Sequence, residues 1–281
     1  MFVKLHNEIL ETETITSKQK TPMDFQSKEI GIALSGGGSK GIAHAGVLQY
    51  LEELKVKPTV LSGSSAGAII AAMYAFGKTP KEILTFFQSI YFFNWKHFTL
   101  KKPGIIDSDS FKIYFNTIFG ETKIGDLPIP VKITATDLVK GKLKIFNDNT
   151  KVVDAVLASA SFPGMLTPYE INKKLYSDGG ILNHFPTDLL QGHCDCIIGV
   201  YVSPIQNIEA KDLKSIKAVT TRAFDLLSAQ GNYQKFSLCD HIIEPKELAN
   251  FSTFETNKGK MQTIFDIGYR EAKNTLQEIN A

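Results

Sequence analysis

The sequence predicts an α/β fold, one domain built on a mostly parallel sheet, on three observations. Short apolar runs alternate with helical-period segments through the first third of the chain: Ile30 to Leu34, Ile42 to Leu54, Pro58 to Leu61, Ala66 to Ala75. Ile197 to Val202 is nearly continuous in apolar residues, as a strand covered on both faces must be. The 281 residues, 43 % apolar and 21 % charged, suit one large domain (28–281) rather than two small ones.

In chain order, residues 1–27 are polar and mixed and read as an extension without an assigned function. Ile30 to Leu34 is a strand ending in a glycine-rich loop, and Val47, Leu48, Leu51 and Leu54 give the next segment its helical spacing. Pro58 to Leu61 is a second strand, followed by a helix from Ala66 that Gly77 stops. Thr79-Pro80-Lys81-Glu82 is a capping box with proline at the first helical position, predicting a helix to about Ile90. Its far end enters the densest aromatic stretch of the chain, Phe86 to Phe98 with Trp95, and Phe111, Tyr114, Phe115 and Ile118 continue the pattern on a helix closed by Gly120. These aromatics are read first as core and second as a lid or mouth over a cleft; part of the segment 79–122 is expected to form a cap. Val131 to Thr136 and Leu143 to Phe146 form a hairpin about Lys140-Gly141. Thr150 is read as the cap of a helix through Ala160, which Ser161-Phe162-Pro163-Gly164 breaks. A second hairpin turns at Asn172-Lys173 and leads into Ser177-Asp178-Gly179-Gly180. Long helical patterns fill Ser215 to Phe236 and Lys260 to Ile279, with a short strand at Ile242-Ile243 between them.

A formal net charge of +2, with lysines spread along the chain, predicts no nucleic-acid binding. The three cysteines match neither a disulfide framework nor a zinc spacing, and no clustered Asp/Asn loop suits calcium, so no metal and no cofactor is expected. No signal peptide is read in the first twenty residues and no run approaches membrane-spanning length, so a cytoplasmic setting is expected, peripheral to a membrane at most; the oligomeric state is open.

Two turns carry the chemistry. Gly63-Ser64-Ser65-Ala66-Gly67 fits the G-x-S-x-G nucleophile elbow, in which a sharp strand-to-helix turn leaves room only for small flanking residues. Ser65 centres the motif, at a helix N-terminus that favours a developing alkoxide; Ser64 is the competing hydroxyl. The loop Gly36-Gly37-Gly38-Ser39-Lys40-Gly41 fails as a phosphate-binding loop because Gly41, not Ser or Thr, follows Lys40. It matches a dinucleotide fingerprint in spacing, but the next strand ends in Ser62-Gly63 without the acidic residue that holds a ribose. As an oxyanion hole, its consecutive glycines let backbone N–H groups converge on a substrate oxygen, and an elbow serine needs such a partner.

Gly36-Gly37-Gly38-Ser39-Lys40-Gly41, Gly63-Ser64-Ser65-Ala66-Gly67 and Asp178-Gly179-Gly180 together resemble the three motifs of the patatin-like phospholipase family, bacterial members included, over roughly Lys28 to the C-terminal helix. The resemblance implies a three-layer sandwich with helices on both faces of the sheet. It also implies a serine–aspartate dyad of Ser65 and Asp178, an oxyanion hole of Gly36, Gly37 and Gly38, and supporting positions at Lys40, Gly41, Gly63, Gly67, Gly179 and Gly180. Without it, Asp178 reads as an ordinary Asp-Gly turn, and Asp137 as a turn or cap aspartate at a strand end. None of the six histidines sits in a context that identifies a triad base; His44 reads as a helix-turn histidine bonded locally.

What the resemblance implies for function is hydrolysis of phospholipid or lysophospholipid esters through an acyl-enzyme, with a lipid or ester substrate as partner and a transient contact with a membrane surface. An acyltransferase on the same dyad and a non-catalytic lipid-binding regulator are the alternatives. An unperturbed carboxylate near pKa ~4 is a weak base for a hydroxyl, so the helix dipole and partial desolvation of Asp178 would have to narrow that gap.

Overall fold

A computed structural model describes residues 28–90, 99, 102–205 and 207–280. Eight strands form one mixed sheet in the order β5-β6-β3-β2-β1-β7-β8, with β4 pairing on β3. β1 (Ile30–Leu34) lies parallel to β2 (Pro58–Gly63) and to β7 (Cys196–Val200); β3 (Val131–Asp137) and β8 (His241–Ile243) extend the parallel part. β4 (Lys142–Ile145), β5 (Tyr169–Ile171) and β6 (Lys174–Asp178) are antiparallel additions beside β3. The register sets Leu34 of β1 against Gly63 of β2 and Gly63 against Ile133 of β3, so the glycine loop and the elbow leave the same sheet edge side by side.

Strand periodicity sorts the core. Ile32, Leu34, Leu61, Ile198 and Val200 enter the large apolar cluster on one face. That face is covered by α1 (Ile42–Glu53), α2 (Ala66–Ala75), α3 (Pro80–Ser89), α4 (Lys112–Phe119), α5 (Val152–Ala160) and α9 (Lys258–Asn280). Their neighbours Ala33, Val60 and Ile197 point the other way, to Phe185, Leu190 and Tyr201. This second layer is thin: the 3-10 turn Thr187–Leu190 and α8 (Asn232–Phe236), whose Phe236 meets Phe185 and Tyr201 edge-on.

The expected elements are present, with two corrections. The N-cap of α5 is Lys151, not Thr150, and makes no side-chain cap bond, while the Thr150 hydroxyl donates to Asn147 Oδ1 instead. The long pattern from Ser215 is two helices, α7 (Ile216–Ala229), capped by Ser215, and α8, because Gly231 takes φ 100° between them. The capping box at Thr79 forms as expected, Thr79 Oγ1 accepting from Glu82 N and Glu82 Oε2 from Thr79 N. Of the aromatic segment, residues 91–98 lie outside the described residues; Phe111, Phe115 and Phe119 are core. The C-terminal helix α9 crosses α1 at backbone contact: a Cβ on Gly46 would stand 2.0 Å from Phe265 O, and one on Gly268 2.1 Å from Ala43 O. Two glycines thereby bring the last helix onto the one that follows the glycine loop.

Candidate active site

Ser65 sits where β2 turns into α2, with φ 53° and ψ −123°, a conformation an L-residue adopts at a cost of about 1–3 kcal/mol. Crowding dictates the small neighbours. A Cβ on Gly67 would lie 2.3 Å from Leu34 O, and one on Gly63 2.5 Å from Gly67 O. Gly41 permits a similar approach, its missing Cβ facing the Ala66 methyl at 2.6 Å. Ser64 is fully buried beside Gly179 and its hydroxyl is turned away from the cleft, whereas Ser65 lines it.

Asp178 ends β6 and lies 113 residues from Ser65 in sequence, yet the Ser65 hydroxyl donates to Asp178 Oδ2 at 2.7 Å. Gly180 N–H donates to the other carboxylate oxygen, also at 2.7 Å. The strand pair Ala135–Asp178 sets the carboxylate's height, and Thr136 Oγ1 donates to the Asp178 carbonyl. Gly179 must lack a side chain here, since a Cβ would meet Thr134 Oγ1 at 2.5 Å. The carboxylate is buried, which pushes its pKa from 3.8 up to about 6; the hydrogen bonds from Ser65 and Gly180 pull the other way.

The glycine loop stands opposite. Gly36 N–H donates to His184 O at 2.9 Å and is therefore not a donor for substrate, which corrects the expectation for that residue. The N–H groups of Gly37, Gly38 and Ala66 have no hydrogen-bond partner among the described residues, and all three residues line the cleft with Ser65. Gly38 has φ 56°, and a Cβ there would lie 2.3 Å from Thr253 O. Lys40 does not line this cleft. Its buried side chain faces an adjoining polar cavity with Arg222 and Asp225; burial lowers its pKa and Asp225 opposes that.

The cleft spans about 820 Å³, open solvent at its mouth included; its wall is mainly apolar, with Ile69, Phe87, Phe162, Leu166, Phe224 and Phe254, and carries His184, Ser203, Asp225 and Glu255 besides Ser65, Asp178 and the loop. Phe162 packs on Phe224 at 4.5 Å and on Phe254 at 5.5 Å between ring centroids. No histidine bonds Ser65 among the described residues. His44 is buried, with Nε2 2.8 Å from Ser35 O, and His184 lines the cleft with both ring nitrogens buried and without a partner. Burial lowers the pKa of each to about 4, so both are neutral at pH 7. Asp137 is a turn aspartate, its Oδ1 accepting from Val139 N and Lys140 N. No group of three or more His, Cys, Asp or Glu suited to a metal ion occurs among the described residues.

The family model for patatin-like phospholipases matches residues 32–190, a stretch that holds both turns and the aspartate motif. The chain belongs to the patatin-like phospholipase family. An uncharacterised NTE family protein of Mycobacterium bovis is 28 % identical over 225 residues, covering 73 % of this chain and 60 % of the relative. The lysophospholipase NTE1 of Candida glabrata is 26 % identical over 195 residues, 65 % of this chain and 11 % of that protein. The chain thus spans about 60 % of the length of the mycobacterial relative and a small part of the fungal one. Among solved structures, VipD from Legionella pneumophila superposes with a TM-score of 0.55 at 15 % identity, covering 96 % of this chain and 73 % of that one, a likeness of fold.

Sequence reasoning missed the C-terminal end of α5 as a brace for Ser65 and Asp178. Ser159 Oγ accepts the Ser65 N–H at 2.9 Å, Ser159 O accepts Gly179 N–H, and Ser161 O accepts both Asp178 N–H and the Ser177 hydroxyl. The signal was faint: three small residues, Ser159-Ala160-Ser161, just before a helix-breaking proline. Nothing in their spacing names the partners.

Proposed function

We propose that the chain is a serine lipid acyl hydrolase that cleaves carboxylic esters of phospholipids or lysophospholipids, with Ser65 as nucleophile and Asp178 as general base. The observation that carries this reading is the 2.7 Å hydrogen bond from the Ser65 hydroxyl to Asp178 on the wall of a mainly apolar cleft. A lysophospholipase among the relatives and the absence of a histidine at Ser65 among the described residues support it.

The chemistry follows from the geometry. Ser65 Oγ attacks the ester carbonyl and its proton passes to Asp178 Oδ2. The carbonyl oxygen becomes an oxyanion, held by the N–H groups of Gly37 and Gly38, with Ala66 N–H beside them. As the C–O bond breaks, Asp178 returns the proton to the departing alcohol and an acyl-enzyme remains. Water then attacks the acyl carbon, gives its proton to Asp178, and the fatty acid leaves as Ser65 recovers that proton. Burial is what makes an aspartate serviceable: a pKa near 6 brings the carboxylate closer to the alcohol it must deprotonate while leaving it ionised at pH 7. The N-terminus of α2 favours the serine oxyanion from the other side.

Incubation with nitrophenyl esters and with lysophospholipids tests the proposal. Hydrolysis that Ser65→Ala and Asp178→Asn both abolish is expected, with covalent labelling of Ser65 by a fluorophosphonate. A folded protein that hydrolyses none of these and takes no label would sink it.

A further inference from the structure

β3 runs past the elbow. Its register places Ile133 level with Gly63, and Thr134 to Asp137 continue outward beyond the edge from which Ser65 turns. The β3–β4 hairpin is built on that overhang, and β6, antiparallel to it, carries the β5–β6 turn out in the same direction. Leu138 N–H donates to Leu175 O, tying the two tips together. Two hairpins therefore project side by side from the active-site edge of the sheet.

Their surface has an unusual composition. Val139 is 76 % exposed at one tip, and Leu138, Leu143, Ile145 and Leu175 are exposed around it. Ile181 and Leu182 add apolar area from the short helix α6 (Gly180–Asn183), which packs against β3 and β4. Lys140 and Lys173 stand at the two turns beside Val139, and Lys142, Lys144 and Lys174 line the opposite strand face from Leu143, Ile145 and Leu175; none of these lysines forms an ion pair among the described residues, and Lys144 lies over the Phe146 ring. The acidic residues of the two hairpins are Glu170, Asp137, which its own turn engages, and Asp178, which is buried against Ser65 and Gly180. A chain of net charge +2 thus concentrates uncompensated lysines on the same protrusion as its exposed aliphatics.

We propose that these two hairpin tips dock the protein on an anionic phospholipid surface, beside the Ser65 cleft. A bilayer with acidic headgroups offers a negative layer over an apolar one, which complements lysines flanking an aliphatic tip. A nucleic acid would complement the lysines and leave Val139 without a counterpart. The inference rests on the lipid-substrate reading for its purpose and on the surface alone for its physics.

The test uses the Ser65→Ala chain, so that binding is read without turnover. Sedimentation with phosphatidylcholine vesicles, with and without phosphatidylserine, should show binding only where phosphatidylserine is present, weakening as salt rises. Each lysine near such a surface contributes about fivefold in affinity, so Lys140, Lys142, Lys173 and Lys174→Glu together should weaken binding by roughly 100-fold or more. Val139→Asp alone should weaken it by about tenfold. Both sets of changes, in the wild-type background, should leave hydrolysis of a soluble short-chain ester intact; if the fourfold variant does not fold, Val139→Asp decides. Equal binding to pure phosphatidylcholine, or binding unchanged in the lysine and Val139 variants, overturns the proposal. So does a dimer in solution that the lysine variant splits without any vesicle binding. Vesicle binding by a chain that hydrolyses no ester would leave the docking surface standing and remove the hydrolase reading instead.

Discussion

Replacing Asp178 by asparagine should stop turnover and stabilise the fold at the same time. The buried carboxylate has its pKa raised from 3.8 to about 6. A group that holds its proton more tightly folded than unfolded contributes most stability below the unfolded pKa, and that contribution is lost as pH rises through about 6. At pH 7 the ionised carboxylate therefore costs the native state about 3 kcal/mol, two pKa units at roughly 1.4 kcal/mol each. Asparagine has the same shape; its oxygen can accept from Gly180 N–H and its amide can donate to Ser65 Oγ, with no charge to bury. Thermal denaturation at pH 7 should give a Tm higher by roughly 6–12 °C, and the gain should vanish near pH 4, where the wild-type group is protonated. Turnover should fall by about 10²–10⁴ for loss of a general base. In the wild type, kcat should be half-maximal near pH 6 and fall about tenfold per pH unit below it. An Asp178→Asn protein that melts at or below the wild-type temperature at pH 7, or keeps kcat within about tenfold of it, would refute the reasoning.

Ser159→Ala leaves the Ser65 N–H buried without an acceptor, a cost of about 1–3 kcal/mol, and should lower kcat more than it changes KM as the elbow shifts; steady-state kinetics beside a melting curve separate the two effects. Gly67→Ala forces a methyl to 2.3 Å from Leu34 O and should cost several kcal/mol or prevent folding, read as loss of soluble protein or of a cooperative melt. Ser65→Gly and Ser65→Ala both lose the bond to Asp178 and should abolish hydrolysis, but the glycine variant should be more stable than the alanine one by about 1–3 kcal/mol in urea titration, because glycine accepts φ 53° without strain. His44 and His184 act in the opposite sense to Asp178. Their folded pKa values near 4 lie below the unfolded value of 6.5, so their stability is present above pH 6.5 and lost as pH falls toward 4, up to about 3 kcal/mol each. His184→Asn should therefore move the acid-unfolding midpoint to lower pH, followed by circular dichroism.

The sequence by itself determined what depends on neighbours along the chain. Apolar runs of strand length, helical spacing, the Thr79 capping box and the glycines flanking Ser65 are local, and each appears where its residues demanded. Ser65 was legible because a sharp turn permits few residue types, and that restriction is written into five consecutive positions. Asp178 was legible only through the company of the other two motifs, since an Asp-Gly pair taken alone predicts a turn. What only tertiary structure decided is which distant groups meet. The approach of Asp178 to Ser65 depends on the antiparallel pairing of β6 with β3, and the brace from Ser159 and Ser161 depends on where α5 ends against them. The diversion of Gly36 N–H to His184 O, and of Lys40 into the neighbouring cavity, are likewise outcomes of packing. So is the raised pKa of Asp178: burial is a property of everything that surrounds a side chain, and no spacing along the chain encodes it.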